Sequence, residues 1–266
     1  MNIGTITCTY FMRIYNYHGP DPLDWNAMCE KYRKEFGKSD FLTLAHEIRD
    51  MGYNSLEIWE PNFSYTVYSE KDAQDMAAEL KKLGFARLAY CIGGWWGGDV
   101  PVVEKAYRFA KALGAPVVTG CISKSDQSTI LPEVEKWGKE LGIRYAIENH
   151  GAPNLESPED IAEAIRPYAH VGANLDTGIY NSMGYDVLAA ADLLKDKVFH
   201  MHLKDTRKGE EECLPIGDGN APLAALLKKV KGWGYEDIIS VEYESSIDPA
   251  PGLVKSIAYI KEALGE

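Results

Sequence analysis

The sequence predicts an α/β fold: a single (β/α)8 TIM barrel over residues 1–266, with a long insertion, 11–40, after its first strand. Three observations carry that prediction. Eight short apolar runs recur, most of them about 30 residues apart, at 2–10, 53–59, 85–92, 115–122, 143–149, 170–176, 197–204 and 237–243. Most are rich in the Val, Ile, Tyr and Thr that strands favour. Amphipathic stretches with helical spacing lie between them, and near-continuous apolar strands alternating with helices imply a parallel sheet covered on its outer face. Eight such units point to a closed barrel. An open doubly wound sheet is the alternative, but no G-x-G-x-x-G turn follows the first strand to support its nucleotide-binding form. A length of 266 residues suits one barrel, and no linker or low-complexity segment divides the chain.

The first run, MNIGTITCTY, reads as a strand and not as a signal peptide, because it has no basic segment and no cleavage site. The insertion FMRIYNYHGPDPLDWNAMCEKYRKEFGKSD follows, before a helix near 41–51. In a barrel it would emerge at the C-terminal rim, where function is concentrated. It serves there either as a lid or as a packing and oligomer element. The second run ends in Glu57 and Trp59, and Trp95-Trp96 follow the third. DAQDMAAELKKLG and VEKAYRFAKALG each read as a helix stopped by Gly after basic residues. Ser157-Pro158-Glu159-Asp160 is a helix start, with Ser as N-cap and Pro in the first turn. LAALLKKVKGWG supplies a further helix before the last run.

The composition, 45% hydrophobic and 26% charged, is that of a soluble globular protein. A net charge of -12 argues against a nucleic-acid partner, whose phosphates need Lys and Arg. The five cysteines contain no C-x-x-C pair, so they read as reduced core residues of a cytoplasmic protein. No apolar stretch reaches the roughly 20 residues of a membrane span.

Chemistry is written at the ends of four runs. IRYAIENH, VGANLDTG, VFHMHLKD and DIISVEYE would deliver Glu148, Asp176, His202 and Glu242 to one rim of the sheet. Singly, a strand-end Asp caps a helix and a His is a hydrogen-bonded core residue. Four on consecutive strands form a hard-to-borderline ligand set suited to a divalent metal. His150 lies two residues past Glu148, on the same side of the strand. His200, His202 and Lys204 also share a face, with His200 the deeper, more buried residue. Lys204 and Arg207 are candidates to hold substrate oxygens. Glu57, Trp59, Trp95 and Trp96 are candidates to line the pocket, since aromatic faces stack on sugar C–H surfaces. Glu244 rivals Glu242 as fourth ligand.

These segments resemble the xylose isomerase-like barrel superfamily, which holds sugar isomerases and epimerases, inosose dehydratases and the endonuclease IV group. The resemblance rests on Glu148 in AIENH, Asp176 in NLDTG, His202 in HMHLKD, Glu242 in SVEYE and the turn Pro215-Ile216-Gly217-Asp218-Gly219. It implies one divalent ion, Mn²⁺ first, with Mg²⁺, Co²⁺ or Zn²⁺ possible, on Glu148, Asp176, His202 and Glu242. It implies an isomerase or epimerase acting on a small carbohydrate, with Glu148 and Glu242 exchanging a proton next to a metal-polarised carbonyl through an enediolate. The alternative is β-elimination from an inosose or a 3-oxo-glycoside, with His150 as an additional base. A DNA-repair enzyme of this group needs further histidines, where this chain has Ile179 and Glu211-Glu212-Cys213. A non-catalytic sugar- or protein-binding subunit is disfavoured by the complete ligand set. Pairing of barrels through the rim insertion would give a homo-oligomer.

Overall fold

Eight parallel strands close into one barrel in chain order, with β1 pairing both β2 and β8. The structure is a computed structural model that describes residues 1–15, 24–93, 100–245 and 247–266. The strands are β1 (Asn2–Ile6), β2 (Ser55–Trp59), β3 (Arg87–Cys91), β4 (Val117–Gly120), β5 (Arg144–Glu148), β6 (Val171–Asp176), β7 (Val198–Leu203) and β8 (Ile238–Val241). Each lies inside one of the eight apolar runs. The helices among the described residues are α1 (Met12–Tyr15), α2 (Trp25–Glu35), α3 (Lys38–Asp50), α4 (Glu70–Lys82), α5 (Val100–Leu113), α6 (Gln127–Leu141), α7 (Pro158–Ile165), α8 (Thr177–Ser182), α9 (Val187–Leu194), α10 (Leu223–Gly232) and α11 (Ala250–Leu264). No helix is long and apolar enough to cross a membrane, among the described residues.

The caps follow the sequence cues. Ser157 accepts from Asp160 N at 3.0 Å to start α7. Ser69 and Asp72 form a reciprocal capping box on α4. The first strand is shorter than its apolar run. After Ile6 the chain turns through a 3-10 helix, Thr7–Tyr10. The Thr7 hydroxyl accepts from Trp59 N at 2.9 Å and donates to Asn62 at 2.6 Å. A side chain thereby takes the place of the next rung of the β1–β2 ladder. Tyr10 consequently sits buried in a turn and not at a strand end.

The described part of the expected insertion holds α1, α2 and the first turn of α3, which opens at Lys38, before the predicted 41, while residues 16–23 lie outside the described residues. The helix α2 is fastened to the end of β2. Arg33 Nη2 lies 2.6 Å from Glu60, and the Tyr32 ring meets Trp59 edge-on with centroids 5.5 Å apart. That anchorage sets the N-terminus of α2 against the mouth of the barrel.

Candidate active site and metal centre

Parallel strands bring all their C-terminal ends to one rim, so side chains distant in sequence converge there. Glu148 ends β5, Asp176 ends β6, His202 is next to last in β7, and Glu242 immediately follows β8. Each offers a ligand atom, and the four atoms lie within 4.8 Å of one another. Register explains the convergence: His202 pairs with Asp176 on one side and with Ser240 on the other. All four side chains are buried.

The Asp-Thr-Gly segment locks this geometry. Asp176 Oδ1 accepts from Ile179 N at 2.8 Å and caps α8, while Oδ2 is buried and makes no hydrogen bond. The cap thus takes one oxygen of the strand-end Asp and leaves the other available to a ligand. Thr177 Oγ1 accepts from Lys204 N at 3.0 Å and donates to Lys204 O at 2.7 Å, stitching β6 to β7. Gly178 leaves the space through which the Lys204 stem passes; any Cβ there would overlap that stem. Asn149 fixes the Asp176 backbone from both sides, accepting from its N at 2.9 Å and donating to its O at 3.1 Å. The sequence reading missed Asn149. Its signal is a polar residue directly after the strand-end Glu148, facing the neighbouring strand.

Beneath the four clustered residues lies a second polar layer. Glu57 is fully buried and receives His200 Nε2 at 2.9 Å, His202 Nε2 at 3.0 Å and the Thr119 hydroxyl at 2.6 Å. His202 therefore points Nδ1 upward, 3.1 Å from Glu242 Oε2 and 3.6 Å from Glu148 Oε2. Carboxylate–histidine pairs of this kind orient metal-binding imidazoles. The expectation that Glu57 contacts substrate is corrected: its carboxylate is fully engaged below the cavity, and it does not line it.

Burial and charge oppose one another throughout the cluster. Burial opposes a charge on His202, yet Glu57, Glu242 and Glu148 raise it well above the ordinary imidazole value. Burial likewise opposes charge on Lys204, but Glu242, Glu244 and Asp176 hold it far above the usual amine range. Burial works against ionised Glu242, and Lys204 and His202 overrule it, keeping Glu242 well below the usual carboxylate range. Asp176 goes the other way: burial, reinforced by Glu242 and Glu148, pushes it up to about 7 against the pull of Lys204. Asp176 Oδ2, His202 Nδ1 and Glu242 Oε2 are buried and make no well-directed hydrogen bond, although Lys204 Nζ lies 3.0 Å from Glu242 Oε2 and 3.5 Å from Asp176 Oδ2. Buried polar atoms of this kind are costly unless something binds them. Their nitrogen and oxygen donors fit a divalent ion.

A cavity of about 660 Å³ opens above the cluster, a size usual for small-ligand sites. Glu148, His150, Trp59, Glu242 and Glu244 line it, as do Asp24, Trp25 and Asn26 at the start of α2. The contribution of α2 was not foreseen at residue level. Two expected substrate contacts lie elsewhere. The Lys204 ammonium is engaged by Glu242 at 3.0 Å, Glu244 at 3.1 Å and Asp176 at 3.5 Å, and it does not line the cavity. Arg207 is exposed, 3.4 Å from both Glu210 and Glu212, because the loop after β7 carries it outward. Trp95 and Trp96 fall outside the described residues. All five cysteines are free, as expected, and Cys8, Cys29, Cys91 and Cys121 belong to the cavity wall.

A family model described as a xylose isomerase-like TIM barrel matches residues 45–263. The chain is 24% identical over 249 residues to an uncharacterised protein of Methanocaldococcus jannaschii, covering 90% of this chain and 80% of that one. It is 27% identical over 201 residues to an inosose dehydratase of Mesomycoplasma hyopneumoniae, covering 65% of this chain and 64% of that enzyme. The structure of an L-ribulose 3-epimerase aligns with a TM-score of 0.77 at 17% identity, over 99% of this chain and 94% of that one. Sugar epimerases and a sugar dehydratase thus stand among its similar proteins. The closed eight-strand barrel and the match over residues 45–263 make this chain a member of the xylose isomerase-like TIM barrel family.

Proposed function

We propose that the protein is a divalent-metal-dependent sugar isomerase or epimerase that moves a proton on the carbon next to a carbonyl. The main support is the convergence of two carboxylates, Glu148 from β5 and Glu242 from the end of β8, on one cavity beside Asp176 and His202. The ligands are Glu148, Asp176, His202 through Nδ1, and Glu242. The donor set suits Mn²⁺ and accommodates Mg²⁺, Co²⁺ or Zn²⁺. When bound, the ion supplies Lewis-acid polarisation of a substrate carbonyl and so acidifies the adjacent C–H.

The protein's own groups do the rest. One of Glu148 and Glu242 takes the proton, and the other returns it. Lys204 keeps Glu242 ionised, as a base must be, and steadies its position. Glu57 holds His202 in the orientation that presents Nδ1. Trp59 walls the cavity against water, with Trp95 and Trp96 assigned the same duty from the sequence alone. The substrate is a small carbohydrate.

A second reading, elimination of water or an aglycone, is favoured by one observation. His150 is exposed to the same cavity beside Glu148, yet stands outside the four-residue cluster. It is therefore free to act as an extra base. The inosose dehydratase relative carries out a reaction of that class.

Proton NMR in D₂O, with Mn²⁺, on ketohexoses, inososes and 3-oxo-glucosides tests both. Metal-dependent deuterium uptake into an intact sugar is the outcome expected for an epimerase; loss of water or an aglycone would transfer the assignment to elimination. In the elimination case His150→Ala should abolish turnover while metal content stays normal. No exchange in any compound, with metal verified in the site, would sink both readings.

A further inference from the structure

We infer, building on the proposed enolisation chemistry, that this cavity takes an uncharged, unphosphorylated carbohydrate and rejects sugar phosphates. Barrels hold phosphate with Lys or Arg side chains, or with free backbone N–H groups at helix N-termini, often in the loops after the seventh and eighth strands. The chain's own carboxylates stand in the way on both routes.

The side-chain route fails first. Among the described residues that line the cavity, none is Lys or Arg, whereas Asp24, Asp126, Glu148, Glu242 and Glu244 all are acids. The segments 16–23 and 94–99, which read NYHGPDPL and GWWGGD, contain no Lys or Arg either. Three cations near the rim are already matched. Lys204 sits among Asp176, Glu242 and Glu244, Lys124 lies 2.7 Å from Asp160, and Arg13 lies 2.6 Å from Glu47.

The backbone route is filled from within at three places. In the glycine-rich turn after β7, Gly217 N and Gly219 N donate to Asp205 Oδ2 at 2.8 and 3.0 Å, and Ala221 N donates to Oδ1 at 3.3 Å. Gly217 adopts φ +98°, the left-handed conformation that turns its N–H inward. This is an anion-binding nest, and its anion is an aspartate of the same chain. After β8, Ala250 N at the start of α11 donates to Asp248 at 3.2 Å. At the cavity edge, Asp24 takes Ala27 N of α2 at 3.0 Å. At each of these three positions a phosphate would meet a carboxylate.

A neutral sugar meets partners instead. Carboxylates accept hydroxyl hydrogens, and Trp25 and Trp59 offer ring faces to C–H groups. Trp25 stays 39% exposed in the cavity wall.

Calorimetry on the Mn²⁺-loaded protein with D-glucitol and D-glucitol 6-phosphate tests the inference, with the NMR panel repeated on phosphate esters. D-glucitol should bind at least tenfold more tightly, and exchange should be confined to unesterified sugars. Asp126→Lys, which sets a cation at the mouth, should narrow the affinity ratio severalfold; an unmoved ratio would overturn the electrostatic basis. Equal or tighter binding of the phosphate, or no binding of D-glucitol, overturns the inference. Exchange in a phosphate ester as fast as in its parent also overturns it, while leaving the enolisation chemistry standing. If no compound exchanges, the enolisation reading fails, and the two glucitol affinities alone decide the preference for uncharged ligands.

Discussion

At the scale of single residues, Glu57 has the most surprising role. It ends up under His202, on the far side of the imidazole from the cavity, because barrel closure carries the β2 interior across to β7. Sequence spacing cannot show this: it fixes which side of a strand a residue faces, not which strand it meets across the barrel. The ligand candidates themselves were legible, since an acid or His that breaks an apolar run needs a reason to be there. Lys204 was legible as a charged residue on the right strand, but its three acidic neighbours come from β6 and the end of β8 and were not. Orientation of a ligating imidazole by a carboxylate is typically worth about 10- to 100-fold in metal affinity. Glu57→Gln keeps the volume and an acceptor oxygen while removing the charge. Its Mn²⁺ affinity, read by competition with a chelating dye, should fall by about that factor with the fold unchanged. Wild-type affinity in this variant would show that packing alone orients His202.

At the scale of elements, the order of strands and helices follows directly from the apolar runs, because a strand buried on both faces leaves little room for polar residues. The ends of elements depend on individual hydrogen bonds and were harder to read. Thr7 ends β1 by occupying Trp59 N, a contact between residues 52 positions apart. The junction of α6 with β6 is another such tie, on the face of the barrel away from the cavity. Glu135 on α6 accepts from His170 N at 2.7 Å, Ala169 N at 3.2 Å and His170 Nδ1 at 3.1 Å. Partial burial works against its charge, but these donors hold its carboxyl below the ordinary value of 4.5. A lowered carboxyl contributes stability that is complete above the unfolded-state value and is lost as pH falls through the folded-state value. Glu135→Gln should therefore cost about 1 kcal/mol at pH 7 by urea unfolding, the worth of a charge-assisted hydrogen bond reduced for its partial exposure. The gap between variant and wild type should close as pH falls below 4.5 and through the lowered folded-state value. A gap independent of pH would assign the loss to packing.

At the scale of the whole molecule, the cluster couples four consecutive strand ends to one another. Glu148, Asp176, His202 and Glu242 place three acids and one imidazole in a buried space, where uncompensated charge is strongly destabilising. The same barrel that concentrates these groups must also be stabilised against their repulsion. Lys204 offsets part of it from just past the end of β7, and a bound divalent ion would offset more. Metal binding to the folded state alone raises stability by about 2.7 kcal/mol at a free concentration of 100 times Kd. For a barrel of this size that corresponds to a rise in Tm of roughly 5–10 °C. Thermal unfolding should show this rise on Mn²⁺ addition and its reversal by EDTA. Asp176→Asn retains an oxygen to cap α8 but loses the charge of the bare Oδ2, so it should unfold at one temperature with or without Mn²⁺. An equal metal-dependent rise in this variant would mean that the ion binds elsewhere on an acidic surface. An identical Tm for the wild type in Mn²⁺ and in EDTA would mean that Lys204 and a charged His202 already satisfy the cluster, and would remove the metal from the site altogether.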